Sequence, residues 1–172
     1  MNPFGGCHAD LKNESKALIY EHNVLFNKDK TTIISYRAKD ANYVIPDSVT
    51  GIGDGAFLEC NSLTSIIIPD SVTSIGWLAF AYCNFLTSIN IPDSVTTIGN
   101  SAFYGCKSLT SINIPDSVTS IEYCAFEECD SLSPQVKSDI IQRFGDIVFY
   151  GEEDDWFLRN CPDYFIHRIR GF

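Results

Sequence analysis

The sequence predicts an α/β repeat solenoid, mostly β, made of four 23-residue units with a cap at each end. The units beginning at Pro46, Pro69, Pro92 and Pro115 align without gaps, and ten positions are identical in all four. One such unit is too short to bury its own apolar face, whereas stacked units form one continuous core. The repeat therefore predicts a short stack of coils.

The identical apolar positions define the predicted core of this stack. They form one row each of valine, isoleucine, alanine, phenylalanine, cysteine and leucine along the repeats. In the first unit these residues are Val49, Ile52, Ala56, Phe57, Cys60 and Leu63.

The segment LTSIIIP at 63–69 recurs as LTSINIP in the next two units. It alternates and is rich in β-branched residues, which predicts a short strand ended by proline, with Asp-Ser turning the chain. We expect the aspartate to cap this turn by accepting backbone N–H groups. The outward-facing strand positions are Ser65, Ile67, Ser88, Asn90, Ser111 and Asn113.

A cap is predicted at the N-terminal end, over residues 1–45. The stretch VLFN-KDK-TTIISY reads as a β-hairpin that turns at 28–30, and a short helix is predicted over 10–20. The hairpin residues expected to cover the first coil are Val24, Phe26, Ile33 and Tyr36.

The second cap is predicted over residues 133–172, after the repeats at 46–132. Ser133 as N-cap, Pro134 in the first turn and Gly145 as a stop delimit a helix. An aromatic-rich tail follows it. The helix residues expected to face the last coil are Val136, Ile140, Ile141 and Phe144.

The consensus LTSINIPDSVTSIGxxAFxxCxS resembles the BspA-like, or Treponema pallidum type, leucine-rich repeats. The resemblance is close over residues 45–132. It implies a right-handed, curved coil stack with a parallel sheet on its concave face. It also implies a non-catalytic module that binds proteins, since members are often bacterial or protozoan surface proteins that bind host proteins or other cells.

The net charge of −10 is unevenly distributed, since residues 46–132 carry Lys107 as their single basic residue against ten acidic ones. Nucleic-acid binding requires a basic face, so this composition argues against a nucleic-acid partner. No apolar run approaches the roughly 18–20 residues that span a bilayer, and no secretory signal is recognisable. These features favour a cytoplasmic location, whereas the resemblance favours the cell surface or secretion.

Four of the seven cysteines, Cys60, Cys83, Cys106 and Cys129, recur at one position of the repeat. A straight row cannot converge on one ion as zinc requires, so we expect buried, reduced thiols there. The aspartate row likewise offers one carboxylate per coil, whereas hard cations need several converging oxygens. We therefore expect no metal.

Catalysis and cofactors are not predicted either. CPDYFIH contains Cys161 and His167, residue types that a thiol-dependent enzyme would use, but proximity in sequence is poor evidence for a catalytic geometry. No phosphate-binding, dinucleotide-binding or metalloprotease motif is complete.

Positions that differ between the units indicate where a partner would bind. Beside the Ala-Phe pair, an exposed aromatic patch is one prediction, because Tyr and Trp are enriched in interface hot spots. The alternative is that some of these side chains fold back over the core. The sequence thus predicts a protein-interaction module using the sheet face or this patch, with self-assembly or cell-surface adhesion as the alternative. The patch comprises Trp77, Leu78, Tyr82, Phe85 and Tyr104.

Overall fold

The computed structural model describes residues 17–150 of the 172-residue chain, which form a mostly β coil stack with a 23-residue repeat. Helix α1 (Pro134–Phe144) and a 3₁₀ turn at Asp146–Val148 close its C-terminal end. The strands of residues 17–150 are β1 (Leu18–Glu21), β2 (Val24–Asn27), β3 (Thr32–Tyr36), β4 (Asn42–Val44), β5 (Gly51–Ile52), β6 (Ser65–Ile67), β7 (Ser74–Ile75), β8 (Ser88–Asn90), β9 (Thr97–Ile98), β10 (Ser111–Asn113) and β11 (Ser120–Ile121).

One sheet runs the length of the stack, in the order β1-β2-β3-β5-β7-β9-β11. From β3 onward its strands are parallel and in register, so that Ile52 pairs with Ile75, and Ile75 with Ile98. Parallel pairing follows from the repeat, because each coil presents the same residues in the same direction one turn further along.

The longer strands β4, β6, β8 and β10 form the other face of each coil. β4 pairs with β6, and β8 with β10, both in parallel. Between these pairs, the N–H of Thr87 donates to the carbonyl of Thr64 at 3.2 Å. Ile66 and Ile89 point inward and are buried, which confirms the alternation predicted from the sequence.

A ladder of aromatic rings runs through the core. Phe57, Phe80, Phe103 and Phe126 are fully buried, with successive ring centroids 5.0, 5.4 and 5.4 Å apart. Stacked coils place identical residues over one another, so a single phenylalanine position in the repeat becomes a continuous stack.

At the N-terminal end, β2 and β3 form the predicted antiparallel hairpin. Tyr36 continues the ring ladder, 5.0 Å from Phe57. The helix predicted over 10–20 is wrong where the structure describes it: Leu18–Glu21 is β1, because its backbone pairs antiparallel with β2. Residues 1–16 lie outside the described part of the chain.

At the C-terminal end, α1 begins and ends as predicted. The Ser133 side chain accepts a hydrogen bond from the Val136 N–H, and Gly145 ends the helix with φ of 84°. Beyond it, the Phe149 ring lies 5.8 Å from the ring of Phe126, which stands 23 residues, or one repeat length, earlier in the chain. The C-terminal cap therefore covers the last coil and also adds the last ring, Phe149, to the ladder.

Candidate interaction surface

The outward side of strands β4, β6, β8 and β10 brings the six predicted sheet-face residues together. Ser88 aligns with Ser111, and Asn90 with Asn113, through the register of β8 and β10. Ser65 and Ile67 occupy the same positions on β6. Ser65 is half-buried and the other five are exposed, so the surface is uncharged and consists mainly of small side chains.

This sheet face has an apolar end and an amide end. At the apolar end, Val44 lies beside Ile67 in register, and the two are 62% and 61% exposed. At the other end, the Asn113 side-chain amide donates to the Asn90 side-chain oxygen at 2.9 Å. Two adjacent exposed aliphatic side chains on a sheet are the feature that a binding partner would cover.

Val44 was missed by the sequence analysis, which assigned it to the N-terminal cap. The signal was present, since Val44 stands 23 residues before Ile67, which is one repeat length. Its segment reads NYVIP, which lacks the conserved LTSI that marks the later strands. The outward valine is therefore recognisable only by counting back from β6.

The predicted exposed aromatic patch is wrong for two of its members. Leu78 and Tyr82 are 5% and 9% exposed, and they pack with Ala81 in a small cluster separate from the main core. Adjacent coils lie about 5 Å apart, so side chains of neighbouring coils close over these two residues and remove their apolar area from water. The side chains from neighbouring coils are Leu58 and Tyr104, and Trp77 of the same coil packs beside them.

The three remaining patch residues have different environments. Phe85 is 57% exposed. Trp77 is partly buried against the small cluster, and its backbone N–H donates to the Asp54 carboxylate at 2.9 Å. The Tyr104 hydroxyl donates to the Glu128 carboxylate at 2.8 Å, and burial raises the pKa of this phenol. Trp77 and Tyr104 thus pack at the coil edge while Phe85 faces solvent, so the three do not form one continuous exposed patch.

The aspartate row does not cap the Pro-Asp-Ser turns, contrary to expectation. Asp47, Asp70 and Asp93 are exposed, and within residues 17–150 no hydrogen bond or ion pair engages their carboxylates. The following serine makes the contact instead: Ser71 and Ser94 donate to carbonyls of the preceding coil at 2.6 Å. The neutral hydroxyl bridges two coils, which leaves the carboxylates pointing into solvent.

Three of the four cysteines of the row lie inside the coils as expected, whereas Cys60 in the first coil is only partly buried. Cys83, Cys106 and Cys129 are buried, and each thiol donates to a phenylalanine carbonyl at 3.1 Å. Burial raises the pKa of the Cys106 thiol, which disfavours the reactive thiolate. No group of three potential metal ligands is found within residues 17–150. Cys161 and His167 lie outside the described residues.

The profile of the family described as BspA type leucine rich repeat region matches residues 35–154 in six copies. The chain belongs to this family. The match extends beyond residues 46–132 in both directions, in agreement with the continuation of the ring ladder by Tyr36 and Phe149. No curated protein matches the sequence.

Solved bacterial structures of BspA-like repeats are similar to this chain. A leucine-rich cell surface protein from Faecalibacterium prausnitzii is 32% identical, with a TM-score of 0.58 over 70% of this chain and 39% of its own. The T. pallidum leucine-rich repeat protein is 32% identical, with a TM-score of 0.58 over 71% and 58% of the two chains. A Bacteroides capillosus leucine-rich repeat protein is 34% identical, with a TM-score of 0.57 over 62% and 88%.

Family membership indicates a protein-interaction or adhesion module, and the relatives are named as leucine-rich repeat proteins, a non-enzymatic family. The chain spans 39% of the F. prausnitzii protein and 58% of the T. pallidum protein. Within residues 17–150, no helix has the length and apolarity needed to traverse a bilayer.

Proposed function

We propose that this BspA-like protein is a non-catalytic interaction module that binds a protein partner through the sheet face of β4, β6, β8 and β10. The observation that carries the proposal is the adjacent pair Val44 and Ile67, each more than 60% exposed on an uncharged surface. Parallel sheets of repeat proteins provide extended binding surfaces of this kind. Burial of two aliphatic side chains contributes a few kcal/mol at most to the binding free energy. We therefore expect the partner to contact the flat amide end as well, which adds buried area and hydrogen bonds.

The proposal is tested by changing this pair while leaving the fold intact. The double variant V44S/I67S removes exposed apolar area only. In cross-linked affinity capture from the native cells, quantified by mass spectrometry, we expect it to lose the specific partner by about tenfold or more. Equal melting temperatures of variant and wild type confirm that the coil stack is unchanged.

A matched control changes exposed apolar side chains outside the sheet face. Tyr123 and Tyr150 are 50% and 66% exposed, so Y123S/Y150S removes comparable apolar area elsewhere. We expect this control to retain the partner. Loss of the partner from the control, together with its retention by V44S/I67S, would assign binding to another surface.

Cell-surface adhesion is the second candidate function. It is supported by the similarity to the F. prausnitzii relative, which is a leucine-rich cell surface protein. Brief protease treatment of intact cells distinguishes the two locations, because a surface-displayed chain is cleaved while cytoplasmic marker proteins are not. Complete protection of the chain, with cleavage of known surface proteins in the same sample, would contradict this candidate.

A further inference from the structure

Arg143, in the last turn of α1, is bound to the Ile-Pro-Asp turn of the fourth coil. Its guanidinium donates to the carbonyl oxygens of Ile114 at 2.7 Å and Pro115 at 2.9 Å. It also lies 3.8 Å from the Asp116 carboxylate. The turn thus binds the Arg143 guanidinium through two main-chain carbonyl oxygens and one carboxylate.

The same Ile-Pro-Asp turn recurs in the other coils, at 45–47, 68–70 and 91–93. Their aspartates are exposed, and no basic side chain of residues 17–150 pairs with them. Lys107 is the single basic residue of 46–132, and it pairs with Glu128. The turn that holds an arginine in one coil is therefore repeated in three others, for which residues 17–150 supply no cation.

The turns at 45–47 and 68–70 border the apolar end of the sheet face. Asp47 follows Val44 by three residues, and Asp70 follows Ile67 by three. Three residues of extended chain span at most about 10 Å, which is about the width of a helix with its side chains. One helix lying along the stack therefore covers the aliphatic pair and the aspartate row together.

The spacing of the coils also favours a helix over an extended peptide. Successive coils are 5.0–5.4 Å apart, as measured between the stacked phenylalanine rings. One turn of an α-helix rises about 5.4 Å, so residues one turn apart match this repeat. Same-face residues of a strand are about 6.6–6.8 Å apart and fall out of step within two coils.

We propose that the partner presents a helix with a stripe of arginine or lysine to the turns at 45–47, 68–70 and 91–93, and apolar side chains to Val44 and Ile67. This inference rests on the proposed function and names the chemistry of its partner. The acidic chain attracts such a helix over distance, and the aspartate row sets its register.

The test uses a defined probe and the full chain. The probe is a fluorescent, stapled helical peptide of about 14 residues, with arginine once per turn beside a leucine stripe. Fluorescence anisotropy at low salt is expected to show binding that weakens as salt rises. The variant D70N/D93N is expected to bind this peptide at least about fivefold more weakly, because it removes two carboxylates that the fold does not use.

Two controls isolate position from charge. The variant D29N/D130N makes the same change of charge at exposed positions elsewhere, and we expect its affinity to stay within about twofold of wild type. A peptide of the same composition in scrambled order is expected to bind much more weakly. Equal losses in the two variants, equal binding of the scrambled peptide, or no binding by wild type would each overturn the inference.

Further outcomes identify a different occupant and also overturn it. In one such outcome, a peptide with glutamate in place of arginine binds wild type as tightly as the arginine peptide does and does not bind V44S/I67S. The sheet face would then be the binding site of a partner without basic residues. Tighter peptide binding by R168S/R170S would indicate that the chain's own C-terminal segment competes for the site. Sedimentation that shows self-association abolished by D70N/D93N would indicate a second copy of the chain.

Discussion

The three buried thiols of the cysteine row each have a fixed acceptor, the carbonyl of a phenylalanine 26 residues earlier. Cys83, Cys106 and Cys129 thereby join neighbouring coils with a weak hydrogen bond inside an apolar core. Burial is the largest cause that raises the pKa of the Cys129 thiol, to about 12. The folded state therefore requires the neutral thiol, which makes this row structural.

Alkaline pH should destabilise the protein through these thiols. The pKa of Cys129 is raised from 9.0 to about 12 on folding, so its contribution is complete below pH 9 and is lost as pH rises towards 12. Well inside that window, each pH unit removes up to about 1.4 kcal/mol from the free energy of unfolding through Cys129. Urea unfolding between about pH 8 and about pH 10 measures the decline.

The variant C129A is the control, and its stability is expected to fall less steeply over the same window. An identical decline in variant and wild type would assign the effect to other groups. Tyr36 is the first of these to examine, because burial also raises the pKa of its phenol.

Among the secondary-structure elements, α1 begins and ends at the residues predicted for it. Its sequence contains local signals at both ends, with Ser133 accepting the Val136 N–H and Gly145 adopting the left-handed φ that ends the helix. Its position over the last coil depends on contacts from elsewhere in the chain, namely the buried Ile140 and the bonds from Arg143 to the fourth coil.

Removing the N-cap should weaken this cap by a predictable amount. S133A leaves the Val136 N–H without its acceptor and is expected to lower the free energy of unfolding by about 1 kcal/mol. S133D restores a carboxylate acceptor and is expected to recover most of that loss. Urea unfolding measures both, and equal stability of all three proteins would show that the cap bond contributes nothing.

At the scale of the whole molecule, a ring ladder from Tyr36 to Phe149 connects both caps to the repeats. The turn at Asp146–Val148 takes part in the coil hydrogen bonding, since the N–H groups of Cys124 and Phe126 donate to the carbonyls of Ile147 and Val148. Each coil contacts only its neighbours, so stability is transmitted from one coil to the next.

Removing the last ring should therefore loosen the stack from one end. F149A is expected to cost about 3 kcal/mol and to speed hydrogen exchange at the amides of Cys124 and Phe126. The Phe80 amide, two coils away, should change much less. The exposed Tyr150 supplies the control, since Y150A is expected to leave exchange unchanged. Uniform acceleration through all coils would show instead that the stack opens as a single unit.

The repeat length, the core rows, the hairpin and the limits of α1 were all predictable from the sequence. The core rows were predictable because residues 23 positions apart occupy equivalent places in successive coils, so each identical apolar position reports a similar environment. The chemical character of the sheet face, with Ile67 at one end and Asn113 at the other, was also readable from the alternation of the strands.

Which of the variable residues reach solvent depends on tertiary contacts that the sequence does not show. Leu78 and Tyr82 are buried because side chains of the adjacent coils close over them. Within residues 17–150 the serine that follows Asp70 or Asp93, and not the aspartate, makes the bond to the preceding coil. These outcomes depend on packing between coils that lie about 5 Å apart, at positions where the repeats differ. Local periodicity carries no information about such contacts.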